Sequence, residues 1–102
     1  MEEPEQRQEI QLVVPPDKEA GVYANFLAVW HSGHEFTLDF CTTQPPKPSE
    51  EDPQRTVMPS LVVSRVKIPV TLIFDVVRAL NENMTRYEET FGEIRRPGAD
   101  QS

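Results

Sequence analysis

Along the first two thirds of the chain apolar residues alternate with polar ones in short runs, and after residue 69 they recur every three or four positions. That change of period predicts strands followed by one helix. Residues 10–14 (Ile-Gln-Leu-Val-Val) form a short β-type run stopped by Pro15-Pro16. In residues 22–31 one face reads Val22, Ala24, Phe26, Ala28, Trp30 and the other Tyr23, Asn25, Leu27, Val29, His31. Both faces are largely apolar, as in a strand covered on two sides, either by layers of its own chain or by another subunit. Residues 35–42 alternate cleanly, with Phe36, Leu38 and Phe40 opposite Glu35, Thr37, Asp39 and Cys41.

The link between these two strands leaves two registers. A loop with an odd number of residues aligns Phe26, Ala28 and Trp30 with Phe40, Leu38 and Phe36. A two-residue Ser32-Gly33 turn instead aligns Leu27 and Val29 with Leu38 and Phe36. The odd loop is preferred, with Gly33 supplying a positive φ. A fourth strand follows at 61–68, where Arg65 and Lys67 face the acidic side of the second and are expected to form an exposed charge ladder with Glu35 and Asp39.

Pro69 opens the helix, which is expected to end at Phe91 before Gly92. Ile73, Val77, Leu80, Met84, Tyr87 and Phe91 keep a 4-3-4-3-4 spacing that resembles a coiled-coil seam. Leu72 and Val76 widen the apolar face of the first half, which suits packing on a sheet. The expected fold is therefore α+β: a four-stranded, mostly antiparallel sheet with one C-terminal amphipathic helix packed on it. One domain spans 9–94, with a Pro-rich loop at 44–59 and disordered tails at 1–8 and 95–102.

Composition narrows the function classes. The chain has 102 residues and a formal charge of −7, with acidic residues outnumbering basic ones 17 to 10. Nucleic acid is a poor partner for such a surface, because binding a phosphate backbone requires clustered cations. No apolar run approaches the ~20 residues that span a bilayer, so no membrane role is expected. The acidic start without an apolar segment predicts no secretion signal, and a single cysteine, Cys41, fits a cytoplasmic location.

Three blocks carry a family resemblance. They are Val22-Tyr23-Ala24-Asn25-Phe26, then Glu35-Phe36-Thr37-Leu38-Asp39-Phe40, and finally Val63-Ser64-Arg65-Val66 running into Pro69 and the helix end from Leu80 through Asn81-Glu82-Asn83-Met84-Thr85-Arg86 to Tyr87-Glu88-Glu89-Thr90-Phe91-Gly92. Over roughly residues 10–94 the chain resembles the small prokaryotic family catalogued as domain of unknown function 3467. The resemblance implies a short β-rich domain ending in a helix and no assigned activity. Two features depart from it: Ile68 stands where a Ser or Thr usually precedes the proline, and the 44–59 loop is longer.

Candidate chemistry is sparse. His31 and His34 flank a turn near Glu35, Asp39 and Cys41, but zinc needs three or four converging ligands, and solvent-exposed turn histidines are the simpler reading. Cys41 shares a strand face with Asp39, a neighbour that opposes thiolate formation. Glycines at 21, 33, 92 and 98 alone cannot build a phosphate loop. Asn25, polar within an apolar strand, either fixes register or contacts a ligand, or simply hydrogen-bonds beside Thr37 or Asp39. No enzyme, metal or cofactor is expected.

The expected function is a non-enzymatic, homo-oligomeric interaction module, dimeric or larger, that also binds another protein. Its interface is assigned to Tyr23, Leu27, Val29, Leu80, Met84, Tyr87 and Phe91. Two alternatives stand beside it. One is a polypeptide-holding chaperone with an architecture loosely like that of the SecB export chaperones. The other is a metal- or small-ligand-binding protein using the His31/His34 turn.

Overall fold

The computed structural model describes residues 8–96. Alternation does produce strands, but three rather than four join the main sheet. In chain order they are β1 (Phe26–His31), β2 (Glu35–Thr43), β3 (Lys47–Pro48), β4 (Thr56–Val57) and β5 (Ser60–Pro69). The main sheet runs β1-β2-β5 with both pairings antiparallel, while β3 and β4 form a separate two-stranded ribbon. The α+β class therefore holds and the four-stranded sheet does not. Residues 10–14, expected as its first strand, have no strand partner among the described residues. The ribbon lies inside the segment 44–59, expected as a Pro-rich loop. It is held by Ser49 N–H donating to Arg55 O at 2.8 Å and, at its base, by Gln44 N–H donating to Pro59 O at 2.9 Å. The tails expected at 1–8 and 95–102 lie almost wholly outside the described residues.

The register between β1 and β2 differs from both sequence alternatives. Leu27 pairs with Phe40, Val29 with Leu38 and His31 with Phe36. A two-residue turn at Gly33-His34 closes the hairpin, with Ser32 N–H donating to Glu35 O at 2.9 Å. The Ser32 hydroxyl accepts from the backbone N–H groups of His34 and Glu35, and Gly33 takes no positive φ. A one-residue offset exchanges the faces of a strand, so Trp30 and Phe36 lie on opposite sides of the sheet. Pairing with β5 completes both faces. One carries Leu27, Val29 and His31, then Phe36, Leu38 and Phe40, then Ser64, Val66 and Ile68. The other carries Phe26, Ala28 and Trp30 against Glu35, Thr37, Asp39 and Cys41, with Arg65 and Lys67 beyond. Phe40 pairs with Ser64 but Cys41 with Val62, so Val63 is an extra residue that makes a bulge in β5.

Strand β1 begins at Phe26, four residues later than expected, because the chain from Val22 to Asn25 turns off the ladder. Asn25 makes the junction. Its N–H donates to Cys41 O at 2.9 Å, its side-chain oxygen accepts from Thr43 N–H at 2.9 Å, and its side-chain nitrogen donates to Thr43 O at 3.4 Å. The amide thus stands in for one more strand residue, which assigns Asn25 the register-fixing role.

Pro69 ends β5 rather than opening the helix. A single 3-10 turn, Val70–Leu72, intervenes, and α1 spans Ile73–Phe91. Its end is where the sequence put it. Gly92 has φ +98°, a conformation that favours glycine, and its N–H donates to Glu88 O at 3.0 Å. The Glu88 carboxylate then accepts from Ile94 N–H at 2.9 Å, which folds the following residues back on the last turn.

The helix does not pack on its own sheet, contrary to expectation. Only Ile73 and Val76, at its root, are half-buried among its apolar residues, and no residue of α1 is buried. Pro69 and the 3-10 turn set the departure direction, and Val70 N–H is tied to His34 O at 3.3 Å at the hairpin end of the sheet. The molecule is accordingly long, 75 × 35 × 33 Å with a radius of gyration of 19.7 Å, where a compact domain of this length has about 13 Å.

Candidate functional site

Two features stand out, a polar cluster on one face of the sheet and an apolar surface that continues onto the helix. The polar cluster centres on Asp39. Register places Asp39 between Ala28 and Arg65, with Trp30 two residues along β1. Arg65 makes a two-pronged contact, Nε to Oδ1 at 2.7 Å and a terminal nitrogen to Oδ2 at 2.9 Å, and Trp30 Nε1 donates to Oδ2 at 2.8 Å. The small Ala28 side chain leaves room for the indole and the guanidinium to close over the carboxylate, whose side chain is only 3% exposed. The Arg65 hydrogen bonds hold the Asp39 carboxyl below its ordinary range, the Trp30 hydrogen bond adds to this, and partial desolvation opposes both. Asp39 correspondingly raises Arg65.

Asp39 is thus a fully engaged anion. Three donors occupy it and its affinity for a proton is lowered, so it is unsuited to act as a general base. Its chemistry is positional, since it links β1, β2 and β5 through side chains and fixes their register. The sequence pattern predicts that Arg65 and Lys67 pair with Glu35 and Asp39. The pairs are Arg65–Asp39 and, at 3.1 Å, Lys67–Glu35. Only the second is the exposed ladder expected. The Trp30 donor was missed because the preferred register put Trp30 among the phenylalanines. Cys41, next on the same face, is buried, with its thiol donating to Asp39 O at 3.5 Å.

The other histidine and acidic candidates do not converge. The His31 ring lies on the apolar face, 6.0 Å from that of Phe36, while His34 occupies the turn. Among the described residues no three of His, Cys, Asp and Glu come together as a metal would require. The pair Asp75–Arg78, at 2.9 Å, lies exposed on the first turn of α1.

The apolar surface contains the residues assigned to an interface. Leu27 and Val29 are on the sheet face with Leu38, Phe40 and Val66, and remain about half exposed. Tyr23 lies on the segment before β1 and is exposed. Leu80, Met84, Tyr87 and Phe91 form the distal stripe of α1, where the rings of Tyr87 and Phe91 meet at 4.9 Å and Leu80 is 67% exposed. The structure does not bring the two groups together within one chain. Val22 and Ala24 lean over the sheet face beside Phe40, Ser64 and Val66, leaving a cleft of about 250 Å³. Among the described residues no helix is long and apolar enough to cross a membrane.

No curated protein and no solved structure matches the chain. A family model described as a protein of unknown function (DUF3467) matches residues 1–96, and the chain belongs to that family.

Proposed function

We propose that the chain is a non-enzymatic, homo-oligomeric interaction module whose first partner is a second copy of itself. One observation carries the reading: α1 stands away from its own sheet, so an apolar helix stripe and an apolar sheet face are both left uncovered. A large aliphatic or aromatic side chain kept in water forgoes about 1.5–3 kcal/mol relative to burial. With Leu27, Val29, Val66, Leu80, Met84, Tyr87 and Phe91 all in that position, a lone chain of this size leaves much of its stabilisation unused. A two-fold arrangement lets the helix of each copy cover the sheet face of the other, and C2 dimers are the commonest solution. The Asp39 cluster suits this reading, because it keeps the sheet in one register while the apolar face is occupied by a partner. The lone, buried cysteine supports a cytoplasmic setting.

The test is the molar mass in solution, by light scattering coupled to size exclusion from low to high micromolar concentration. A mass that is a multiple of 11.7 kDa supports the reading. A single-chain mass throughout sinks it. A monomer that suppresses aggregation of an unfolded client would instead favour the chaperone alternative, in which the same apolar surface receives extended polypeptide.

A further inference from the structure

The segment before the sheet has an unusual state for an apolar stretch. Residues 8–14 are neither helix nor strand, and Ile10, Leu12 and Val13 are almost fully exposed. Among the described residues none of the backbone N–H or C=O groups of 10–14 is hydrogen-bonded. The run nonetheless has strand composition and is bounded by Pro15-Pro16, where a 3-10 turn (Pro16–Lys18) begins. An apolar segment with its entire main-chain bonding capacity unused is a strand without a sheet.

A sheet edge of matching character exists on the same molecule. Strand β5 is ten residues long and pairs only with β2, so its outer edge is open. Long open edges invite addition of another strand. Arg65 and Lys67 on β5 are the only Lys or Arg residues of the main sheet, whereas residues 1–9 carry Glu2, Glu3, Glu5 and Glu9 against Arg7. Both cations are already engaged across the sheet, Arg65 by Asp39 and Lys67 by Glu35, so pairing at this edge rests on the main chain and the apolar side chains. Val22 and Ala24 border the cleft lined by Phe40 of β2 and Ser64 and Val66 of β5, so the segment before β1 approaches β5 on the apolar face.

We infer that residues 10–14 of one copy add as a strand to the β5 edge of a second copy, with the reciprocal exchange completing a two-fold dimer. This mode of recognition draws affinity from the main chain and selectivity from side-chain pockets and charge. Five residues bonding at about one hydrogen bond each give about ten across the two arms, in the range of a typical stable interface. Ile10, Leu12 and Val14 then share one face of the extended sheet, and Gln11 and Val13 the other. The inference rests on the homo-oligomer reading but concerns a different contact, since that reading needs only the helix stripe and the sheet face.

The experiment is amide hydrogen exchange, resolved by residue, on the full chain alongside the mass measurement. At a total chain concentration about 100 times the dimer Kd, roughly 7% of the chains remain monomeric, so a paired arm exchanges about 15-fold more slowly than a free one, and dilution abolishes the protection. The amides of 10–14 and of the outer β5 edge should be protected together. Val13→Pro removes a donor and does not fit within a paired strand, so it should abolish protection at both places and weaken the dimer about tenfold or more. Val13→Thr, which keeps strand propensity, should retain protection. Because Val13 is 84% exposed and residues 10–14 carry no hydrogen bond among the described residues, neither variant should alter the fold of a monomer. An oligomer whose arm exchanges at free-peptide rates overturns this inference and leaves the interaction module standing. Protection that survives dilution to monomer overturns it as well, because the arm then pairs within its own chain. Protection of 10–14 paired with β1 in place of β5 refutes the edge assignment.

Discussion

Replacing Leu80 by Asp isolates the helix contribution. Leu80 lies on the stripe of α1, about one turn beyond Val76, the last half-buried apolar residue of that helix, and is 67% exposed. It therefore contributes little to the fold of a single chain. If the helix of each copy covers the sheet face of the other, about two thirds of a leucine side chain is buried twice per dimer. At about 1.5–3 kcal/mol for complete burial of one such side chain, the lost transfer energy is about 2–4 kcal/mol per dimer. That corresponds to a rise in Kd of about 30-fold to about 1,000-fold, and the unpaired carboxylates add to it. The assay is sedimentation or light scattering over a dilution series of wild type and Leu80→Asp, with far-UV circular dichroism as a control on helix content. The wild type should dissociate at a concentration at least one order of magnitude below the variant. An unchanged Kd with intact helix would show that α1 is not in the interface, however apolar its stripe.

Four further outcomes follow from the geometry. Asp39→Asn should lower the melting temperature at neutral pH, because Arg65 loses its countercharge. The folded-state pKa of Asp39 lies below its ordinary 3.8, so its contribution is present above that pH and is lost as pH falls through the lower folded value; the gap between wild type and variant should close there, and parallel melting curves from pH 7 to 3, followed by the fluorescence of the single Trp30, would contradict the assignment. Replacing 47–57 by a short Gly-Ser linker should leave the melting temperature within a few degrees, since halving a loop changes closure entropy by only ~0.6 kcal/mol, and collapse of the fold would show that the ribbon braces the sheet. Substituting His31 and His34 together by Asn should change stability by less than about 0.5 kcal/mol, and stoichiometric zinc, copper or nickel in protein purified without an affinity tag would restore the metal-binding alternative. Gly92→Ala should shorten α1 from its C-terminus and cost about 1 kcal/mol, read from helix content and melting, because an alanine at φ +98° is strained although open space surrounds it.

What the sequence determined by itself is the local structure. Alternation over 26–43 and 60–69 made strands because a pleated chain separates its two sets of side chains, and the three-four spacing after residue 72 made α1 because those positions share a helix face. Gly92 stopped that helix for a reason any sequence displays, the ease of positive φ without a Cβ. The tertiary structure decided which strands meet and in what register. Leu27 and Val29 make as good an apolar row as Phe26 and Trp30, so hydrophobic pattern alone was degenerate at the hairpin. The choice involved groups distant in sequence: Asp39, nearly excluded from water, requires donors, and the observed register sets Trp30 beside it on the face where β5 brings Arg65. Asn25 is a second instance, its amide pairing with Thr43 eighteen residues away. The helix position was equally illegible. An amphipathic face announces that it will be covered but not by which surface, and here Pro69 and the turn after it direct α1 away from its own sheet. The unpaired run at 10–14 has the same origin, since strand propensity is a property of the segment and an available edge is a property of the assembly.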